Sequence, residues 1–207
     1  MEACKEPVLT VSSDQSGTEI LRVSVDYSLE TLHKSKVCPP PIKHALHGMI
    51  SWHQRNETTI SRAIHSSSQY LEFRAYLNVV GINPKEVKDT LEIPIKRPGF
   101  IVGFSDVHAT PDDDPIVTSY VSIQMKGQLI QTSKIALTGI KRRQITCLAT
   151  VNHLDGKQLT DKVIEDFCNQ IPSWIEPEGN YLGSAEYRQA MAVVTTKRAL
   201  KQCMEEL

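Results

Sequence analysis

Hydrophobic and polar positions are ordered more sharply in the second half of the chain than in the first. In "VTSYVSIQM", residues 117–125, Val117, Val121, Ile123 and Met125 fall on one side of an extended chain. Thr118, Tyr120, Ser122 and Gln124 fall on the other, the period of two that predicts a half-buried strand. "KGQ" follows as a tight hairpin and "LIQTSKIALTGI" as the antiparallel partner. Upstream, "TLEIPI" and "GFIVGF" are short β-prone runs flanking "KRPG", where Pro98 and Gly99 supply turn chemistry. Downstream the period lengthens. In "TDKVIEDFCNQI" the apolar residues Val163, Ile164, Phe167, Cys168 and Ile171 recur at helical spacing. Thr160 suits the N-cap, Asp161 sits in the positive first turn, and Pro172 ends the element. A second helix opens at Gly183 and Ser184 and runs through "AEYRQAMAVVTTKRAL". Tyr187, Ala190, Met191 and Val194 share one of its faces, and Lys197, Arg198 and Lys201 lie toward its negative end. A strand meander followed by helices predicts an α+β fold: a two-layer domain with an antiparallel sheet and C-terminal helices over residues 91–207.

Residues 1–90 read as a divergent N-terminal region. One strand is expected at residues 20–25, and "CPPPIKHALHG" is expected to break any regular element, since successive prolines remove donors and favour an extended path. Ile50, Trp52, Ile60, Ile64, Tyr70, Leu71, Phe73 and Tyr76 recur without a clean period, so no element is assigned to residues 42–80.

Composition narrows the function. With 207 residues and 40% hydrophobic content the chain can bury a core. Its 23 basic and 24 acidic residues nearly cancel, so no net field draws it to nucleic acid or an anionic membrane. No run of eighteen apolar residues occurs, and "MEACKEPVLTVSSDQ" lacks the features of a signal peptide; a cytoplasmic location is expected. The five cysteines are scattered, which favours reduced thiols over a zinc or iron–sulfur site. His44, His47 and His53 follow Cys38 closely, but their spacing fits no closed metal site, and solvated histidines are the simpler reading. Lys141, Arg142 and Arg143 lack the interleaved aromatics of a nucleic-acid module. No catalytic residue is assigned, since neither a nucleophile elbow nor a phosphate-binding P-loop is present.

The order of pieces from residues 92–94, through 117–140, 156–159 and 163–168, to Gly-Ser-Ala-Glu-Tyr-Arg at 183–188 resembles the C-terminal domain of the FAD-binding (medium) subunit of molybdenum hydroxylases. That family includes carbon monoxide dehydrogenases, xanthine dehydrogenases and aldehyde oxidases. The resemblance covers residues 90–203. It implies an oxidoreductase subunit that supports FAD-mediated electron transfer from iron–sulfur clusters to an acceptor, working with molybdenum-cofactor and iron–sulfur subunits. The alternative is a non-catalytic interaction or assembly module that keeps the fold and has lost flavin binding.

The resemblance also selects candidate cofactor-binding residues. In "HATPDDDPIVTSY", Asp113, Ile116 and Val117 match a family stretch near the flavin, while Ala109 and Thr110 stand where its arginines would be and Pro115 replaces a small alanine. Asp113 is thus either a flavin-side contact or a turn residue in an acidic loop. Tyr187 and Arg188 either touch the cofactor or a neighbouring subunit, or serve the helix start, the ring packing and the guanidinium pairing locally. Before residue 99 the only glycines are Gly17, Gly48 and Gly81, each isolated. The paired glycine loops with which the family holds FAD are therefore not visible, and the chain reads as a divergent or truncated member, with residues 1–90 as either a remnant of the flavin-binding domain or an unrelated region.

Overall fold

A computed structural model describes residues 9–47, 51–110, 113–150 and 153–207. The chain opens with a hairpin of β1 (Leu9–Ser13) and β2 (Glu19–Ser24). Five short helices follow: α1 (Leu29–Lys34), α2 (Pro40–His47), α3 (Trp52–Glu57), α4 (Ile60–His65) and α5 (Leu71–Val79). β3 (Thr90–Lys96) then returns to pair antiparallel with β2, giving a sheet of order β1-β2-β3. A boundary at 90/91 falls on the first residue of this strand, whose partner is N-terminal; the change of sheet comes between Lys96 and Phe100.

The triple proline starts a helix rather than breaking one. Pro40 and Pro41 occupy the first turn of α2, and the amides of Ile42 and Lys43 both donate to Pro39 O at 3.0 Å. A helix leaves its first N–H groups without intrahelical partners, so proline loses nothing there and its fixed φ suits the turn. Residues 42–80, which show no clean period, form pieces of helices only six to nine residues long. α3 buries none of its residues and α4 only Ile60, Ala63 and Ile64, while α5 is buried nearly all round, so no single period runs through the segment. Ile50 lies outside the described residues.

The second sheet is the antiparallel meander read from the sequence, in the order β4 (Phe100–Val107), β5 (Val117–Lys126), β6 (Leu129–Thr138) and β7 (Thr146–Leu148). Gly127, at φ 61°, turns the β5–β6 hairpin. α6 (Asp161–Cys168) starts where expected, with the Thr160 side chain accepting from the Val163 amide. α7 (Ala185–Glu205) closes the chain.

Two expectations are corrected here. β5 is buried on both faces from Val117 to Ile123. Val117, Val121 and Ile123 join a core with α6 and α7, whereas Tyr120 and Ala136 join the core of the N-terminal helices. The polar positions are covered as well: Ser122 Oγ donates to Val79 O at 2.6 Å. A sheet flanked on both sides needs no water-facing set, so the alternation in β5 marks two different neighbours rather than core and solvent. The second correction concerns α7, which buries Arg188, Ala192, Thr195, Thr196, Ala199, Leu200 and Cys203 and leaves Ala190 exposed. The helix packs by its small residues because β4 comes so close: a Cβ on Gly103 would overlap the carbonyl oxygen of Ala199.

Candidate functional site

The side chains singled out from the sequence meet where β5 begins, β6 ends and α7 starts. Ser184 caps α7 by accepting from the Tyr187 amide at 3.2 Å, which places Arg188 at the end of the first turn, facing inward. Arg188 is only 4% exposed. Its Nη1 donates to the main-chain oxygens of Ile116 at 2.6 Å and Gly139 at 2.5 Å, and Nη2 donates to Asn180 Oδ1 at 2.7 Å. One guanidinium thus ties together the entry to β5, the exit of β6 and the loop before α7, a task that needs the rigid multi-donor geometry of arginine. Gly139 makes the junction feasible, since its φ is +76° and a Cβ there would overlap Ile116 O. Ile116 contributes its backbone and a buried side chain; its amide donates to Val107 O at 2.7 Å. Tyr187 points the other way, 38% exposed, with its ring edge beside Gly183.

Asp113 closes a small turn. Its Oδ2 accepts from the Thr110 amide at 3.1 Å and its own amide donates to Thr110 O at 3.1 Å. The turn is fastened to β4 through His108, whose Nδ1 lies 2.7 Å from Asp113 O and whose Nε2 lies 2.6 Å from Asp106 Oδ2. His44 on α2 reaches the same Oδ2 with its Nε2 at 2.7 Å. Burial alone would raise the Asp106 carboxyl, but the bonds and charges of His44 and His108 outweigh it and hold the pKa at about 2. For His108 burial pulls downward, and Asp106, the Asp113 carbonyl and the Glu72 charge more than offset it, so its pKa is raised. Neither this clasp nor any other group of described residues has the geometry of a metal site.

Between these features lies a cleft of about 600 Å³. Leu71 and Glu72 of α5 form one wall, Asp114 and Pro115 another, and Lys141, Arg142, Arg143 and the 178–182 loop the rest, with Arg188 behind. Tyr181, 94% exposed, stands at its mouth. The basic triplet is partly neutralised: Lys141 Nζ lies 3.3 Å from Glu176 Oε2, and the Arg142 amide donates to Glu178 Oε2. Glu72 is buried; one carboxylate oxygen accepts from Thr138 Oγ1 and the other has no hydrogen-bond partner. Burial pushes its pKa up to about 7, although Thr138, Thr118 and Tyr120 all pull it down. The Thr118 and Tyr120 hydroxyls act there by proximity, for neither makes a hydrogen bond of good geometry.

The structure therefore brings Ile116 and Arg188 into direct contact, sets Asp113 in the neighbouring turn and turns Tyr187 outward. Glu72, Asp106, His108 and Asn180 were not singled out in the sequence. Asp106 and His108 meet each other two residues apart, but His44, Thr138 and Arg188, the other partners, lie on other elements, and a lone Glu or Asn in a helix start or loop carries no spacing signal. Among the described residues no glycine-built phosphate cradle is present. Gly17 and Gly81 take positive φ in separate turns, Gly139 and Gly183 are packed against Ile116 and Tyr187, and Gly48 lies outside the described residues. Among the described residues the backbone donors are not arranged to fit the pyrophosphate of FAD.

Residues 104–203 match the model of the CO dehydrogenase flavoprotein C-terminal domain. The glyceraldehyde dehydrogenase medium chain of Sulfolobus acidocaldarius is 25% identical over 120 residues, a match spanning 58% of this chain and 42% of that one. A carbon monoxide dehydrogenase from Hydrogenophaga pseudoflava superimposes with a TM-score of 0.71 at 16% identity, over 95% of this chain and 78% of the other. Quinoline 2-oxidoreductase from Pseudomonas putida 86 gives 0.74 at 15% identity, again over 95% and 78%. At such identities the likeness speaks for the fold alone, and it extends through the N-terminal helices. By family model and by the series of elements it encloses, the segment 104–203 belongs to the CO dehydrogenase flavoprotein C-terminal domain family.

Proposed function

We propose that this chain is a divergent flavoprotein-type subunit of a molybdenum hydroxylase-like oxidoreductase, in which it forms a wall beside the flavin rather than the grip on it. The reading rests on one observation above others: the family's Gly-Ser-x-Glu-Tyr-Arg start of α7 is used here to lock the Gly139 backbone, which lines the cleft, to that of Ile116 at the entry to β5. FAD, when bound in such a complex, supplies one- and two-electron chemistry between iron–sulfur clusters and the final acceptor. The chain's own residues shape and order the surface: Arg188 fixes the cleft wall, Asp113 and His108 fix the turn at its edge, and Tyr181 and Tyr187 present rings outward. In this reading the loops that hold the pyrophosphate belong to a part of the complex outside the described residues, and the molybdenum-cofactor and iron–sulfur subunits are the partners.

The absence of a glycine cradle among the described residues favours a second reading, an assembly module that never meets a flavin. Purification of the native complex through this chain separates the two. Recovery of molybdenum and iron–sulfur subunits with a flavin absorbance band supports the first, with the isolated chain expected to stay colourless after FAD addition and gel filtration. The same partners without any flavin would support the module. A chain that purifies without them would overturn both.

A further inference from the structure

The geometry around His108 fixes its protonation state. Both ring nitrogens face oxygens: the main-chain carbonyl of Asp113 at 2.7 Å and Asp106 Oδ2 at 2.6 Å. A carbonyl oxygen only accepts. Asp106 Oδ2 also accepts, because it serves two imidazoles at once, with His44 Nε2 at 2.7 Å on the same atom. A neutral imidazole carries one N–H and would set a lone pair against one of these oxygens. Turning the ring over would set carbons against both. We infer that His108 is held as the imidazolium cation and, donating from both nitrogens, is the positioning residue that ties Asp113, and through it the entry to β5, to the end of β4.

The surroundings agree from every element packed against it. Asp106 on β4 is the direct counter-ion, and Glu72 on α5 adds negative charge when ionised. His44 on α2, whose ring packs tilted against Phe104 at 4.5 Å between centroids, shares the Asp106 oxygen. Tyr120 on β5 stays neutral, its hydroxyl pKa raised well above the usual value by burial. Within the turn, the Asp113 carboxylate is occupied by the Thr110 amide, and Asp114 is exposed. Losing one proton leaves His108 able to hold either Asp106 or the Asp113 carbonyl, not both. The turn that carries Asp113 is then fastened below the His108 midpoint and released above it. The inference stands on the clasp itself; only its meaning for a flavin rests on the function proposed above.

Long-range proton–nitrogen NMR of the uniformly ¹⁵N-labelled chain, without flavin, tests it between about pH 5 and about pH 9. Both ring nitrogens of His108 should be protonated at neutral pH, with a midpoint above the ordinary imidazole range. The backbone amides of Thr110 and Asp113 should titrate with that same midpoint. In Asp106→Asn the midpoint should fall back toward the ordinary value, and in His108→Gln the two amides should cease to titrate. A neutral single-tautomer ring in the wild-type chain at neutral pH would overturn the inference, and this result does not depend on whether either variant folds. Failure of the flavin reading would leave the titration unchanged.

Discussion

Arg188 is the residue on which most of the junction depends. Its three acceptors are two main-chain carbonyls and one side-chain amide, and a buried acceptor without a donor costs about 1–3 kcal/mol. Arg188→Met should therefore destabilise the chain by roughly 3 kcal/mol or more in denaturant unfolding, and Arg188→Lys should recover only part, because an ammonium cannot span the same fork. Glu72 makes a second prediction with a definite sign. Its folded pKa of about 7 lies above the usual carboxyl value of 4.5. Between these values the folded state holds a proton that the unfolded state has lost, so stability falls as pH rises through that window. Unfolding midpoints measured across it should lose part of that slope in Glu72→Gln. His108 acts in another window: its contribution is complete below the ordinary imidazole pKa and is lost as pH rises through the raised folded value. At this scale the sequence pointed to Arg188 by its place in a family motif. It could not show that the partners are backbone oxygens 72 and 49 residues away, since any residue type supplies those.

At the scale of elements, patterning located β2 to β6 and the two C-terminal helices, missed the short β1 and β7, and failed where neighbours were unusual. The sequence assigns α7 an apolar face through Tyr187, Ala190, Met191 and Val194, yet it buries two alanines, two threonines and an arginine along with Leu200 and Cys203. The rule that large apolar residues point inward assumes room for them, and the approach of Gly103 to Ala199 leaves little beyond the site that Leu200 fills. Thr195 is tolerated inside because its hydroxyl donates to Met191 O at 2.9 Å. Gly103→Ala should push α7 away from β4 and cost on the order of 3 kcal/mol, read as a lower unfolding midpoint. Ser184→Ala should cost only about 1 kcal/mol, the ordinary value of a lost cap, since the helix is anchored along its whole length. The prolines of α2 teach the complementary lesson: the same residues that stop a helix internally begin one well, and only position within the element distinguishes the cases.

At the scale of the molecule, the C-terminal half was legible as a family domain, while the N-terminal half was not legible as helices at all. Its short segments gain their order from shared burial, as in the Arg55 and Glu30 pair at 2.7 Å that joins α3 to α1. The proposed role makes Asp113→Ala informative: a flavin-side turn predicts altered flavin reduction with the complex still assembled, and an assembly module predicts no change in either. The two-sided burial of β5 and β6 has a further consequence. Tyr120 and Ala136 belong to the core beneath the N-terminal helices, so a fragment beginning at residue 91 would carry a bare apolar sheet face into water and should be recovered as aggregate rather than as a free-standing piece. A protease nick between the halves should accordingly leave two polypeptides that migrate together until denatured, and any lineage that reshapes the N-terminal half is constrained to keep a lid of α5's shape over that sheet.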